Sequence, residues 1–403
     1  MGEKKNMQKL YQHQTDFLNQ NPDKSALVWS CGTGKTLTAI QWALLGRSTT
    51  LIITPKSLKT NWERERVKHG LFATVVSKEE FRRDYLKLGK YSQIIVDEVH
   101  AGFLTPLFKS QMSKALRKYI TIYGVPRILL LSATIFTSSP WNIFNLAYYT
   151  GHKLDYQKFN YTFFNQIRMG RRVIPVPKKG CERKLAEIVK RIASVININD
   201  VIDVPLQNHL EPEYFSLNKE QQKAIKDNYD PVPIVRYTLQ HEIENGILIG
   251  NEFRESQIFI HDKSDRILQL VAENPKVAIV ARYNAQIDSL KELLKEYNPY
   301  IIRGDVKNRD EVCLQAEKAE KAVMLIQADS AEGYQLPSFE LCIFASQSYS
   351  YTKFEQICGR FLRMDKPSRT TFVYLLTEGD SMDKAVYDAI KRREDFQIQL
   401  HKK

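Results

Sequence analysis

Ala26-Leu27-Val28-Trp29 runs straight into Ser30-Cys31-Gly32-Thr33-Gly34-Lys35-Thr36, and Leu37, Ile40, Ala43 and Leu44 then recur at helical spacing. Strand, glycine loop, Lys-Thr and helix is the arrangement that holds a nucleotide triphosphate. Small residues let backbone N–H groups converge on phosphate oxygens, and the helix N-terminus favours the negative charge. In that reading Ser30, Cys31, Gly32, Thr33 and Gly34 wrap the phosphates. Lys35 reaches the outer ones and Thr36 ligates a magnesium ion. The strict pattern has Gly where Trp29 stands, so a glycine-rich turn capping a helix is the competing reading.

Further on lies Gln93-Ile94-Ile95-Val96-Asp97-Glu98-Val99-His100. An apolar strand there delivers two adjacent carboxylates at its C-terminal end, the edge where open α/β sheets bind ligands. Asp97 would hold the magnesium ion through its water shell, and Glu98 would orient or deprotonate an attacking water. Together the two stretches point to ATP or GTP hydrolysis.

A chain of 403 residues, 43% hydrophobic and 26% charged, can bury two or three domain cores and is not broadly disordered. No apolar run approaches the ~18 residues that span a bilayer. The start, Met1-Gly2-Glu3-Lys4-Lys5-Asn6, has no apolar signal core and places Asn where myristoylation needs Ser or Thr. The expected location is the cytoplasm, without membrane. Cys31, Cys181, Cys313, Cys342 and Cys358 are scattered and never in Cys-x-x-Cys spacing, which indicates neither a zinc site nor a disulfide framework. The net charge of +13 suits a polyanionic partner.

Strands are expected at 25–30, 50–54, 73–77, 93–97 and 127–132, with helices at 35–45, 57–69 and 107–120. This alternation implies a mainly parallel sheet. Residues 151–270 break the rhythm, with Pro175, Pro177, Pro205, Pro212, Pro231 and Pro233; helices are expected at 182–194 and 217–227. Alternation returns with a helix at 263–273 and strands at 277–280, 300–303, 322–327, 340–345 and 371–376. The last 20 residues read as a helix with a polar tail. The expected fold is α/β: two RecA-like parallel-sheet domains with an ATP cleft between them and an irregular, partly helical middle. The expected boundaries are 1–155 for the first domain, 156–275 for a crossover and insertion region partly belonging to the second, and 276–403 for the second core.

In the second block stands Gln356-Ile357-Cys358-Gly359-Arg360-Phe361-Leu362-Arg363. At helical spacing Gln356, Arg360 and Arg363 share a face. Two arginines so placed can neutralise charge on a transferred phosphoryl group; the alternative is a solvated basic helix face.

The glycine loop, Asp97-Glu98-Val99-His100, Ser132-Ala133-Thr134 and the Gln-x-x-Gly-Arg-x-x-Arg run occur in the order and rough spacing of superfamily-two helicases. Thr54-Pro55-Lys56-Ser57-Leu58-Lys59-Thr60-Asn61-Trp62-Glu63-Arg64-Glu65 resembles the motif after the second strand of Swi/Snf-type DNA translocases. Leu10-Tyr11-Gln12-His13-Gln14-Thr15-Asp16-Phe17-Leu18 is similar to that family's adenine-reading segment. Asp200-Val201-Ile202-Asp203-Val204-Pro205 resembles its entry to the second domain. Ser330-Ala331-Glu332-Gly333-Tyr334-Gln335-Leu336 resembles its loop sensing ATP and DNA, and Tyr374–Asp383 the stretch after the arginine motif. About 300 residues are covered, and the compact size looks like versions carried by phages and mobile elements, which would place the protein in a host cytoplasm. Ser132-Ala133-Thr134 departs toward the DEAD-box form, Leu362 stands where His is usual, and Glu332 where a small residue is common.

The resemblance implies an ATP- and magnesium-dependent ATPase stimulated by nucleic acid. Gln14 would read the base, Gly333 would join the ATP-binding residues, and Arg360 and Arg363 would act as arginine fingers. His100, Ser132, Thr134 and Gln356 would couple phosphate state to movement. Double-stranded DNA would be gripped by its phosphates through Lys56, Ser57, Lys59 and Arg303, hence without sequence preference and with strong salt sensitivity. A replication or recombination protein partner would fit such work. Arg168, Arg171, Arg172, Lys178, Lys179 and Arg183, near Tyr161, Phe163 and Phe164, form either a further DNA surface or a solvated charged face over core aromatics. The implied function is translocation along duplex DNA. A strand-separating DNA or RNA helicase and an ATP-gated clamp are the alternatives.

Overall fold

The structure, a computed structural model, describes residues 10–105, 109–133, 140–169, 172–178, 180–201, 207–252, 254–306, 308–330, 334–362 and 369–392. It divides into two compact units, Met1–Asp203 and Val204–Lys403.

The first unit holds strands β1 (Lys24–Trp29), β2 (Thr50–Thr54), β3 (Ala73–Ser77), β4 (Gln93–Val96), β5 (Arg127–Ser132), β6 (Phe164–Met169), β7 (Arg172–Pro177) and β8 (Ser194–Ile196). Six of them form one sheet in the order β3-β2-β4-β5-β1-β8, and every pairing in it is parallel. Parallel strands are covered on both faces, so they read as unbroken apolar runs. Leu51-Ile52-Ile53, Ile94-Ile95-Val96 and Ile128-Leu129-Leu130-Leu131 are such runs, all fully buried. The pleat sends Leu51 and Ile53 into one core with Phe81, Phe103 and Leu116. Ile52 enters the opposite core with Trp29, Ile40, Trp42 and Trp62. β6 and β7 stand apart as a two-stranded antiparallel ribbon.

The second unit holds β9 (Gln207–His209), β10 (Glu213–Phe215), β11 (Ile247–Leu248), β12 (Gln257–Ile258), β13 (Lys276–Ala281), β14 (Tyr300–Ile302), β15 (Ala322–Gln327), β16 (Leu341–Phe344) and β17 (Thr370–Thr377). Its main sheet runs β10-β17-β16-β13-β15-β14, with β9 also against β17, again parallel throughout. Ala278 and Val280 face one core and Val277, Ile279 and Ala281 the other. The fold is therefore α/β with two RecA-like parallel sheets. All ten strands expected from the sequence lie within one residue of those observed at each end.

Within 156–275, the stretch expected as a crossover and insertion region partly belonging to the second domain, the boundary of the two units falls at Asp203/Val204. β8 extends the first sheet by pairing Leu27 with Ser194 and Trp29 with Ile196. The helix Glu182–Ile192 sends Leu185, Val189 and Ile192 into the first unit's core. A three-residue strand carries too little periodicity to be read from sequence, and β9 and β10 are equally short. No helix among the described residues is long and apolar enough to cross a membrane.

Candidate nucleotide site

β1 is wholly buried from Ala26 to Trp29, so its C-terminal end carries the glycine loop to the sheet edge. Gly32 and Gly34 have φ of 81° and 82°, the left-handed region that glycine enters without steric cost. A Cβ at Gly34 would also lie 2.3 Å from Gln14 Nε2 and displace that amide from the loop. That same Nε2 donates to the Gly34 carbonyl at 3.2 Å, and Gln14 Oε1 accepts from the Tyr11 N–H at 2.9 Å. A ring nitrogen of His13 lies 3.0 Å from the Thr33 carbonyl. The helix Gln12–Gln20 thereby grips the backbone of the loop at two successive carbonyls.

Inside the loop, Thr33 Oγ1 donates to the Ser30 carbonyl at 2.7 Å. Lys35 Nζ donates to the Trp29 and Ser30 carbonyls at 2.6 and 3.0 Å. Lys35 is also the first residue of the helix Lys35–Gly46, whose leading N–H groups lack helical partners and face the loop. Trp29, the departure from the strict glycine pattern, has a structural reason. Its indole is fully buried, donates to Ser194 Oγ at 2.9 Å, and takes the rings of His13 and Phe17 edge-on at 4.9 and 6.0 Å. It ties β8 and the N-terminal helix to the loop's base.

The carboxylates sit one strand beyond the next. β4 is buried throughout, and the Asp97 N–H extends its ladder to the Ile53 carbonyl at 2.8 Å. The chain then turns at Glu98, whose φ of 46° is unusual for a residue with a side chain. Asp97 Oδ1 accepts the Glu98 N–H at 2.9 Å, while Oδ2 accepts Trp62 Nε1 at 2.8 Å and Thr54 Oγ1 at 3.3 Å. Beneath the turn the buried Lys78 ammonium donates to the Glu98 and Ala101 carbonyls at 2.7 and 3.2 Å. Glu98 Oε2 is buried without a hydrogen bond and lies 3.3 Å from His100 Nδ1. His100 Nδ1 is also 2.9 Å from Ser132 Oγ, at the end of β5. Burial and the neighbouring Glu98 push the Asp97 carboxyl above the usual carboxylate range, against the Trp62 hydrogen bond and the ammonium groups of Lys78 and Lys35. A buried acid pair of this kind favours a positive partner, proton or cation, and the donor set of two carboxylates with the Thr36 hydroxyl suits magnesium.

The structure thus brings Gln14, the loop, Lys35, Asp97, Glu98, His100 and Ser132 to one sheet edge. Thr134 lies outside the described residues, as do Gly333, Arg363, Arg171 and Lys179. In the second unit Gln356 and Arg360 are described, one on each side of a helix end. Gln356 lies in the helix Tyr351–Cys358, and Arg360 in the 3₁₀ turn Gly359–Phe361 that continues it. Gln356 and Arg360 are both buried there. Arg360 Nη1 donates to the Tyr334 carbonyl at 3.4 Å, and its Nε, like Gln356 Oε1, is buried without a hydrogen bond. Of the expected DNA contacts, Lys56 and Ser57 are exposed on the turn Lys56–Leu58. Lys59 is bound to Glu80 at 2.7 Å, and Arg303 to Asp288 and Asp305 at 2.7 and 2.9 Å, so both charges are locally compensated.

Sequence reasoning assigned no role to Trp62 and Lys78. Both had a signal. Trp62 is the one buried residue of the otherwise charged helix Lys59–Lys68. Lys78 follows Ser77 in a capping box closed by Glu80, where an acidic residue is the ordinary choice.

No family model and no curated protein matches the chain. Among solved structures, the SWI2/SNF2 ATPase core of Sulfolobus solfataricus in complex with dsDNA is similar, at 16% identity and a TM-score of 0.42. The match covers 96% of this chain and 91% of that one.

Proposed function

We propose that this protein is an ATPase of the Swi/Snf-like type that moves along double-stranded DNA. The observation that carries the hydrolytic part is the Asp97–Glu98 pair. It is fixed from below by Trp62 and Lys78, keeps a buried Glu98 oxygen unbonded, and lies on the sheet edge of the glycine loop.

Lys35 exchanges the Trp29 and Ser30 carbonyls for the outer phosphate oxygens, so the loop opens its own internal bonds as it takes ATP. Thr36 and Asp97 would hold a magnesium ion, which supplies charge neutralisation at the phosphates. Glu98 orients the attacking water and accepts its proton through the oxygen that has no other hydrogen bond. His100 passes the state of Glu98 to Ser132 through its Nδ1 contacts; Thr134 and Gln356 are proposed to continue that coupling. Gln14, bonded to the Gly34 carbonyl, links base recognition to loop geometry, and Gly333 is proposed to join the ATP contacts. Arg360 and Arg363 are the proposed arginines for charge on the transferred phosphoryl group. Lys56, Ser57, Lys59 and Arg303 are proposed phosphate contacts, Lys59 and Arg303 by exchanging their carboxylate partners for DNA.

The test is the steady-state ATPase rate without nucleic acid and then with double-stranded DNA, single-stranded DNA and RNA. Stimulation by the duplex alone is the expected result and would justify a triplex-displacement assay. Stimulation by single strands or RNA would favour a strand-separating helicase. Indifference to all three would favour an ATP-gated clamp.

A further inference from the structure

We infer that the β6–β7 ribbon is a duplex-gripping arm of the first unit that lies in a DNA groove; this rests on the duplex-DNA reading above. The ribbon pairs Phe164 with Pro177 through to Met169 with Arg172. Its root is fixed: Phe164 stacks on Trp141 at 4.6 Å, Phe163 packs on Phe159 at 4.7 Å, and the Lys178 N–H donates to the Phe163 carbonyl at 2.9 Å. Beyond the root, among the described residues, the ribbon is left largely to solvent, with Gln166 Nε2 reaching back to Asn160 Oδ1 at 3.1 Å. Residues 165–168 and 174–177 are all exposed. Ile167 and Ile174 are cross-strand partners at 46% and 39% exposure, and Val176 adds 38% on the same face. A free two-stranded ribbon is marginally stable in water, and β-branched residues left outside on it gain only when something covers them.

The charge says what covers it. Residues 156–181 carry Lys158, Arg168, Arg171, Arg172, Lys178 and Lys179 and no Asp or Glu. An acidic or purely apolar protein surface would satisfy one half of this composition. A nucleic-acid groove satisfies both, offering phosphates at its rims and sugar and base edges on its floor. The major groove, about 12 Å wide, admits a two-stranded ribbon. Strands of six residues span roughly 20 Å at ~3.3 Å per residue, enough to follow the groove past several base pairs. At the root, Lys178 Nζ donates to the Tyr161 carbonyl at 2.7 Å and lies 5.2 Å from the exposed Tyr161 ring, so one basic group sits beside an exposed aromatic there. Phe163 and Phe164 are core, and the charges around them are the proposed DNA surface.

The experiment titrates fluorescein-labelled duplex and single-stranded DNA by anisotropy across a salt series, for wild type, Arg168→Ala/Lys178→Ala and Ile167→Ser/Ile174→Ser, with basal ATPase as the folding control. The basic double variant should bind the duplex about tenfold more weakly, with the salt slope reduced by roughly 2, near 0.9 for each lost phosphate contact. The apolar double variant should lose several-fold in affinity with its slope unchanged. Basal ATPase should stay at the wild-type rate in both. Wild-type affinity and slope in both variants would overturn the arm while leaving the duplex-DNA reading intact. A loss confined to single strands would overturn the groove placement. Wild-type protein that binds no nucleic acid would sink the duplex-DNA reading itself and the arm with it.

Discussion

Each unit buries a cluster of carboxylates among cations, and the two clusters are finished differently. In the second unit Asp383 is fully paired. Lys263 Nζ bridges it, Asn245 Nδ2 donates at 2.8 Å, Thr377 donates through N–H and hydroxyl at 3.1 and 2.9 Å, and His241 Nε2 lies 3.1 Å away. Glu244 beside it caps the helix Met382–Lys391 through the Met382 and Asp383 N–H groups at 3.0 Å. Burial alone would raise the Asp383 carboxyl, but Lys263 and His241 overcome it and hold it well below the usual carboxylate range. Asp97 in the first unit goes the other way, pushed up by burial and by Glu98, with Glu98 Oε2 left unbonded. A closed network spends its charges on the fold. Glu244 of the second cluster is also pushed up to about 7, by burial and by Asp383, so what sets the Asp97–Glu98 pair apart is that its reserve of proton or cation affinity lies at the sheet edge of the glycine loop.

The sharpest way to break that contrast is to remove the reserve. Glu98→Gln keeps the shape of the side chain and deletes the base, so ATP turnover should fall by roughly 10²–10⁴. Lys35→Ala should be as severe. Neither change should move the unfolding midpoint by more than a degree or two, because neither group closes a fold-wide ion pair. A Glu98→Gln enzyme turning over at the wild-type rate would remove the catalytic assignment.

The matching operation in the closed network should do the reverse. Lys263→Met strands Asp383 with too little positive charge in a buried place, a loss of about 3–5 kcal/mol. For a unit near 200 residues this is a fall of about 10 °C in Tm, read by calorimetry. An unchanged Tm would mean that the second cluster is not the structural one. Between the two lies Trp62→Phe. It removes the indole donor to Asp97 Oδ2 and leaves that oxygen short of a partner, at about 1–3 kcal/mol. Turnover should drop about tenfold, since Asp97 is then held in place by Thr54 and the Glu98 N–H alone.

The difference between the clusters was only half legible in the sequence. The open one announces itself because its parts are local. A glycine loop after an apolar strand and an Asp-Glu pair ending another are contiguous strings with a physical meaning. The closed one is assembled from His241, Glu244, Lys263, Thr377 and Asp383, spread over more than a hundred positions and each ordinary alone. Trp62 and Lys78 stand out in their own helices, but their roles could not be read because their partners lie in the distant turn after β4. The long apolar strands were readable because parallel sheets demand them. β8 and β9 were not, because three residues at a sheet edge need no pattern of their own. The arginine segment was legible as a string, but the change from helix to 3₁₀ turn at Gly359 has no signal in residue spacing.

The smallest effect is the most direct reading of the contrast. Asp97→Asn keeps an oxygen for the Trp62 indole and removes a charge that burial opposes. It should abolish turnover yet raise Tm near neutral pH. The sign follows from the direction of the shift. A carboxyl raised in the folded state contributes stability that is fully present below its unfolded value of about 4 and is lost as pH rises through the folded value. The advantage of the Asn variant should therefore widen from acid toward neutral pH and vanish near pH 4. Asp383, held low, has the opposite slope, its contribution failing only as pH drops below about 4. Adding magnesium with a non-hydrolysable ATP analogue should then reverse the order, because wild type gains a ligand that the variant holds poorly. Melting curves at several pH values, with and without that pair, decide it. A wild type that is the more stable at every pH in their absence would place Asp97 with Asp383 among the charges that serve the fold.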